Sequence, residues 1–242
     1  MRAPAVLIAC LVAGAILASP AAAAPKRVYV VSETRGFVHD SIPAAVAFFQ
    51  ELGRRSPRYD VVHLRSSGAA GLTVARLRGA SAVVLANTTG ELPLPSRSAL
   101  RDFVRRGGAL VGTHSASDTW HEWPAYEPLL GAEFQRHGSA QSGRLLVEGP
   151  THAIVRGLPR SYRMHEEFYE FRASPRRRAR VLVRLDPASI SDEARPDIPL
   201  VWARTEGRGR VFYDALGHFS ETWRLPYHRR LVSQGLAWAL RI

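Results

Sequence analysis

The sequence predicts an α/β fold in which a mostly parallel sheet is covered by helices on both faces. Short apolar runs rich in β-branched residues alternate with segments of helical periodicity, which is the pattern of repeated strand–helix units. One of these runs, Ala109–Thr113, leads directly into a sharp turn at His114. Small residues, Gly112 and Ala116, lie two positions on either side of His114, as a tight strand-to-helix turn requires.

The first half of the chain begins with three predicted strands and one predicted helix. Asp40 or Ser41 caps the helix, Pro43 occupies its first turn, and Gly53 ends it. The three strands are apolar and rich in Val or Ala, as expected of buried parallel strands. They are Arg27–Ser32, Tyr59–Leu64 and Ala82–Ala86.

A second helix and the fourth strand complete this half of the sheet. Ser96 is the predicted N-cap of the helix, and Gly107 and Gly108 stop it. The strand Ala109–Thr113 follows and ends at His114.

The second half is richer in strands. Its extended segments are Arg144–Glu148, Glu167–Arg172, Arg180–Leu185, Pro199–Arg204 and Arg210–Ala215. The polar, proline-containing segment Asp186–Asp197 is predicted to be a surface loop, and Pro226–Arg241 is the last helix.

Residues 1–23 have the features of a signal peptide. Arg2 precedes an apolar run, Ala5–Leu17, and three alanines ending at Ala23 form the cleavage site. We therefore expect an exported protein, periplasmic or extracellular, whose residues 24–242 form one domain with no membrane partner after cleavage. A lipoprotein box at Cys10 is the less favoured alternative, because almost no hydrophobic stretch precedes it.

The chain is strongly basic, with a formal net charge of +12 and 33 basic residues, of which only Lys26 is a lysine. Such a charge is compatible with a nucleic-acid or anionic-surface binder. However, the arginines are scattered along the whole chain and no nucleic-acid-binding motif accompanies them. Compositional bias explains them better, and we expect no nucleic-acid partner.

Polar groups that follow predicted strands are the candidate catalytic residues, because ligands bind beyond the carboxyl ends of parallel strands. They are His39, His114, Glu167 and His218. Two chemistries fit this set. One is a metal site, with a divalent ion such as zinc held by the three imidazoles and the carboxylate. The other is metal-free acid–base catalysis by imidazole. Local spacing favours neither, since no His-Glu-x-x-His motif is present.

Other residues near these loops are candidates for substrate binding or nucleophilic attack. Aromatic rings suit the apolar face of a sugar, although each could instead pack in the core. The binding candidates are Phe37, Trp120, His137 and Tyr169. Ser115 is a weaker candidate for a hydrolase nucleophile, because the small residues of the turn are centred on His114.

Several segments, in order along the chain, resemble the ThuA-like (trehalose utilisation) family. The matching segments are 35–41, 112–119, 130–134, 166–169, 199–202 and 209–218. The resemblance implies a flavodoxin-like, class I glutamine-amidotransferase-like three-layer sandwich. In that arrangement His114 occupies the position of the amidotransferase cysteine and His218 that of its histidine. The family often has Asp-Glu-x-Tyr where this chain has Glu166 to Tyr169.

The resemblance implies a role in sugar metabolism, but not as an amidotransferase. The only cysteine is Cys10, in the predicted signal peptide, so thiolate acyl transfer is excluded. The leading hypothesis is an enzyme that hydrolyses or isomerises a sugar or keto-sugar glycoside. The alternative is a non-catalytic carbohydrate-binding or scaffold module on the same fold. The sequence leaves the oligomeric state open.

Overall fold

The computed structural model describes residues 24–65, 67–191 and 196–242. The predicted signal peptide lies outside the described residues. The strands are β1 (Lys26–Val31), β2 (Tyr59–His63), β3 (Ala82–Ala86), β4 (Ala109–Thr113), β5 (Phe134–His137), β6 (Gln141–Val147), β7 (Ser161–Glu166), β8 (Tyr169–Phe171), β9 (Arg180–Asp186), β10 (Ile198–Glu206) and β11 (Gly209–Asp214). The helices are α1 (Ile42–Arg55), α2 (Val74–Gly79), α3 (Arg97–Arg105), α4 (Tyr126–Leu130) and α5 (Pro226–Leu240).

A nine-stranded sheet forms the centre of the molecule and confirms the predicted fold class. Its strand order is β2-β1-β3-β4-β11-β10-β9-β6-β7. The five strands from β2 to β11 are parallel to one another, whereas β10, β9, β6 and β7 continue the sheet in antiparallel pairs. Every residue of β3 and β4 is buried, as expected where helices cover both faces.

The carboxyl ends of the parallel strands place the candidate residues at one edge of the sheet. Thr113 at the end of β4 pairs with Ala86 of β3 on one side and Asp214 of β11 on the other. The loops that follow these strands therefore start side by side, although the strands are far apart in sequence.

The prediction that Gly53 ends the first helix is wrong, whereas Ser41 does occupy the N-cap position. Gly53 does not end α1, which continues to Arg55; a Cβ at Gly53 would lie 3.0 Å from the Val61 side chain, so this glycine permits close helix–strand packing. Ser41 does not cap α1 with its side chain. Its hydroxyl instead donates to the carbonyl oxygen of Gly217, at 2.8 Å, in the loop that carries His218.

The segment predicted as one strand, Glu167–Arg172, is also different in the structure. β7 ends at Glu166 in the large sheet, and β8 starts at Tyr169. β8 pairs with β5, which the sequence did not predict, in a separate two-stranded sheet that we call the β5–β8 ribbon. Glu167 lies between the two strands, where the chain passes from the large sheet to the ribbon, and its side chain contacts His218 at the site.

Three further elements were not predicted from the sequence: the short helices α2 and α4, and strand β7 of the large sheet. Ser96 caps α3, accepting a hydrogen bond from the Ala99 N–H at 3.1 Å. Among the described residues, no helix combines the length and apolar character needed to cross a membrane.

Candidate active site

The turn after β4 gives His114 an unusual backbone conformation. His114 begins a short 3-10 turn, His114–Asp118, and has a φ of 45°. A left-handed backbone is costly for a residue with a Cβ, so the surroundings must hold it in place. Tyr213 does so, because its hydroxyl donates to the His114 carbonyl oxygen and lies 2.8 Å from the Ser117 hydroxyl. Gly112 is crowded by Ala116, whose Cβ lies 3.1 Å from where a Cβ of Gly112 would be.

The ring of His114 is fully buried and its tautomer is fixed by one contact. Nδ1 lies 2.9 Å from the carbonyl oxygen of Ala215. A carbonyl oxygen only accepts, so Nδ1 carries the proton and Nε2 presents a lone pair. Burial, followed by the nearby His39, lowers the pKa of His114 well below 6.5. The imidazole is therefore neutral, with its Nε2 lone pair directed into the site.

His39 approaches from the loop after β1. Its Nε2 is 3.0 Å from Nε2 of His114, and its Nδ1 is 3.3 Å from the Ser115 hydroxyl. Burial, and then the charge of His218, lowers the pKa of His39 to about 4. Thr89 fixes the loop, because its hydroxyl accepts from the Gly36 N–H and donates to the Phe37 carbonyl oxygen.

His218 and Glu167 complete the cluster from the other side. Nδ1 of His218 lies 3.2 Å from Glu167 Oε2 and 3.3 Å from His114 Nε2. Glu167 Oε2 is 3.7 Å from the same His114 nitrogen. The contact with Glu167 raises the pKa of His218 above 6.5.

Glu166 holds the His218 loop, a role that the sequence did not reveal. The carboxylate of Glu166 is fully buried and accepts from the backbone N–H groups of Gly217 and His218, both at 3.1 Å, and from the Thr222 hydroxyl. Burial raises the pKa of Glu166, although these donors oppose the shift. The two adjacent acidic residues thus have different roles: the Glu166 carboxylate fixes the loop backbone, and the Glu167 carboxylate faces the cluster.

Beneath this loop lies a second buried pair, and it is structural. Nε2 of His228 donates to Asp214 Oδ2 at 2.9 Å, and Asp214 Oδ1 accepts from the Leu216 N–H at 3.0 Å. Both side chains are inaccessible to solvent. His228, on α5, therefore anchors the start of the loop without reaching the site.

Three imidazole nitrogens and one carboxylate oxygen form a ligand set that could hold a metal ion. The ligand atoms of His39, His114, His218 and Glu167 all lie within 4.8 Å of one another. For zinc–nitrogen bonds of 2.0–2.1 Å, the edges of a tetrahedral site measure about 3.3 Å. Four of the six separations between the ligand atoms, 3.0, 3.2, 3.3 and 3.7 Å, lie around this value, and the other two do not exceed 4.8 Å. The Nδ1–H of His114 on a carbonyl oxygen is the outer-shell contact typical of metal-binding histidines.

The β5–β8 ribbon brings two of the predicted binding residues to the cluster. The Tyr169 hydroxyl lies 3.2 Å from His114 Nε2, and burial raises the pKa of Tyr169 well above 10. His137 Nδ1 lies 3.2 Å from Glu167 Oε1, and its side chain is 40% exposed. Phe134 packs against Tyr169, with ring centroids 4.3 Å apart. The ribbon therefore supplies a protonated hydroxyl and a solvent-accessible imidazole.

The other predicted residues divide between the site entrance and the core. Phe37 is 65% exposed, and its ring centroid lies 4.7 Å from that of His39, at the entrance. Trp120 does not take part: it is buried, its Nε1–H donates to the Leu92 carbonyl oxygen, and it packs against Tyr126. The prediction that Trp120 binds substrate is therefore wrong, because an aromatic residue in a loop can fill the core as well as bind a ligand.

Comparisons with known proteins identify the family of this chain and proteins of similar fold. The family model described as ThuA, trehalose utilisation, matches residues 27–239. A ThuA-like protein from Bacteroides uniformis is similar in structure, with a TM-score of 0.76 and 22% identity over 92% of this chain and 95% of that one. One from Parabacteroides merdae has a TM-score of 0.71 and 19% identity, covering 89% and 90%.

A β-galactosidase from Bacillus circulans sp. alkalophilus also shares the fold, with a TM-score of 0.56 and 13% identity over 89% of this chain but 30% of that one. No curated protein matches the chain in sequence. At these identities, the structural similarities show the fold alone.

Proposed function

This chain belongs to the ThuA trehalose-utilisation family, which indicates a carbohydrate-related role, and from that premise we propose a metal-dependent enzyme acting on a sugar or keto-sugar glycoside. The reaction would be a hydrolysis or an isomerisation. The observation that carries this proposal is the convergence of His39, His114, His218 and Glu167 on one point beyond the sheet.

The nature of the ligand atoms supports a divalent ion of the zinc type. Three imidazoles and one carboxylate suit zinc better than magnesium or calcium, which prefer oxygen ligands. His39 and His114 are neutral at physiological pH because burial lowers the pKa of each, so no proton competes for their nitrogens. The pKa of His218 is raised by its contact with Glu167, so protons compete with a metal ion for this nitrogen more than for those of His39 and His114.

When bound by these four residues, such an ion would need a fifth coordination position for a substrate oxygen or a water, where it would polarise the carbonyl or lower the pKa of the water. The residues of the chain would do the rest. The Tyr169 hydroxyl, kept protonated by burial, can donate a hydrogen bond to a substrate oxygen beside His114. His137 is accessible to solvent and contacts Glu167, so it can exchange a proton with a substrate at the cluster. Phe37, beside His39, offers an apolar face to a sugar ring.

Metal analysis combined with a substrate screen tests the proposal. The protein is stripped with a chelator, reloaded with zinc, and assayed for zinc stoichiometry and for turnover of keto-disaccharides and their parent sugars. His152→Gln is the control variant, because this histidine packs against Trp238 of α5, outside the cluster. We expect one zinc ion per chain and turnover that requires it.

Each alternative has its own outcome. Turnover that persists after stripping would favour metal-free acid–base catalysis by the same imidazoles. Sugar binding without turnover, with or without zinc, would favour the carbohydrate-binding module. A protein that binds neither zinc nor any of these sugars would overturn the proposal altogether.

A further inference from the structure

A second cluster of titratable side chains lies at the base of the β5–β8 ribbon, outside the candidate active site. His121 stands between two carboxylates: Nε2 is 2.7 Å from Asp118 Oδ1, and Nδ1 is 2.9 Å from Glu133 Oε1. The same oxygen of Glu133 lies 2.8 Å from Nε of Arg172. The His121 side chain is 33% exposed, so it can exchange protons with solvent.

These four residues join two parts of the structure that meet at the site. Asp118 is the last residue of the 3-10 turn that begins with His114. Glu133 immediately precedes β5, and Arg172 immediately follows β8; the backbone N–H of Arg172 donates to the Glu133 carbonyl oxygen at 3.0 Å. His121 therefore links the end of the His114 turn to the base of the ribbon, in addition to the contact of Tyr169 with His114 at the site.

We propose that His121 is a positioning residue whose protonation clamps the β5–β8 ribbon to the His114 turn, so that proton loss loosens the ribbon over the site. The consequence for catalysis rests on the proposed function, but the clamp itself does not. His137 and Tyr169, at the ends of the ribbon strands that meet the cluster, are the residues whose positions it would set.

The geometry gives the physical reason. A neutral imidazole has one N–H and one lone pair, whereas an imidazolium donates from both nitrogens. Because both ring nitrogens lie within 3 Å of a carboxylate oxygen, the neutral ring would point a lone pair at one of the two carboxylates. The contact with Asp118 is a hydrogen bond, and the contact with Glu133 is an ion pair shared with Arg172.

The direction of the pH effect follows from the groups that face the ring. Burial lowers the pKa of His121, but the contacts with Glu133 and Asp118 outweigh it and raise the pKa above 6.5. The clamp is thus complete below about pH 6.5, the ordinary pKa of histidine, and is lost as the pH rises through the raised value. His39, His114 and His218 lie outside the ribbon, so the loosening would change substrate handling more than the proposed metal affinity.

NMR and hydrogen exchange on the whole chain without added metal or substrate test the clamp. The ring signal of His121, assigned by its loss in His121→Gln, gives the pKa. The protection factors of the β5 and β8 amides, corrected for the intrinsic pH dependence of exchange, report the ribbon. We expect a pKa above 6.5 and a fall in ribbon protection of roughly 1.5- to 5-fold at the same midpoint, the range of one exposed ion pair.

Two variants and one control make the test specific. His121→Gln should give low ribbon protection that no longer depends on pH in this range. Asp118→Asn, which keeps the ring but removes one charge, should move both the pKa and the protection midpoint to lower pH. His152→Gln should behave as the wild type. The clamp is refuted if His121 titrates at or below 6.5, or if ribbon protection shows no step at its pKa. This measurement uses neither metal content nor turnover. The clamp can therefore be confirmed when the proposed function is refuted, and it can be refuted when the proposed function is confirmed.

Discussion

Replacing His114 by alanine removes two interactions at once, and the structure allows their effects to be separated. One is the buried hydrogen bond from Nδ1 to the carbonyl oxygen of Ala215. The other is one of the four atoms of the proposed metal site. The first affects the stripped protein, whereas the second appears only when zinc is added.

The loss in the stripped protein is set by the orphaned carbonyl group. A buried polar group without its partner costs about 1–3 kcal/mol. For a domain of this size that corresponds to a decrease in Tm of roughly 2–12 °C. Destabilisation alone therefore cannot show that His114 is merely structural, because a fully buried metal ligand would also destabilise the fold when truncated.

The zinc-dependent increment is the decisive quantity. Zinc at 100 times its Kd would stabilise the wild type by about 2.7 kcal/mol, or roughly 5–11 °C in Tm. His114→Ala should lose this increment. His114→Asn is the matched variant, because asparagine tolerates the positive φ of this turn; it should recover part of the stability of the stripped protein but not the zinc response.

Thermal melts of the stripped and zinc-loaded proteins, together with zinc analysis of each variant, provide the assay. The reasoning is refuted if zinc does not stabilise the wild type. It is equally refuted if His114→Ala responds to zinc as strongly as the wild type does.

Three further predictions concern other parts of the chain. Tyr169→Phe should leave zinc content unchanged and lower turnover by about 10²-fold, as loss of one donor to a reacting oxygen does; equal turnover would remove the hydroxyl from the mechanism. Because the pKa of His39 is lowered to about 4, the unfolded state takes up a proton that the folded state does not. The free energy of unfolding should hence decrease as the pH falls from about 6.5 towards 4, and His39→Asn should flatten this part of the profile measured by urea denaturation. Exported protein should begin near Ala24 and contain no free thiol by intact-mass analysis; a mature chain beginning at a lipidated Cys10 would contradict it.

The sequence predicted the fold and most of the cluster because both depend on local patterns. Short apolar strands alternating with helices imply a parallel sheet, and polar residues after such strands meet at one edge. His39, His114 and His218 were found in this way. Glu167 also lies in this cluster, but not on the expected element: a strand was predicted over Glu167–Arg172, whereas Glu167 lies between β7 and β8.

What the sequence could not give depends on contacts between distant residues. Nothing in the sequence near Trp120 distinguishes a ring that binds a sugar from one that is buried and donates a hydrogen bond to the Leu92 carbonyl oxygen. The link between Asp118, His121 and Glu133 requires the ribbon, and neither β5 nor its pairing with β8 was predicted. Glu166 offered one signal: an acidic residue adjacent to Glu167 among apolar neighbours must find donors, and it finds them on the His218 loop.

The turn after β4 accounts for the way in which His114, a ligand of the proposed metal site, is presented above the sheet. A cysteine at such a turn places one short, reactive atom above the sheet, whereas His114 extends a ring whose far nitrogen reaches the same open space. The near nitrogen uses the neighbouring strand end, because the carbonyl oxygen of Ala215 lies just beyond β11, which pairs with β4. The parallel register thus fixes both the orientation and the tautomer of the ring, so that the lone pair of Nε2 faces His39 and His218. On this reasoning a change at Ala215 that displaced its carbonyl would weaken zinc binding without touching any ligand, by about 10- to 100-fold as other outer-shell changes do.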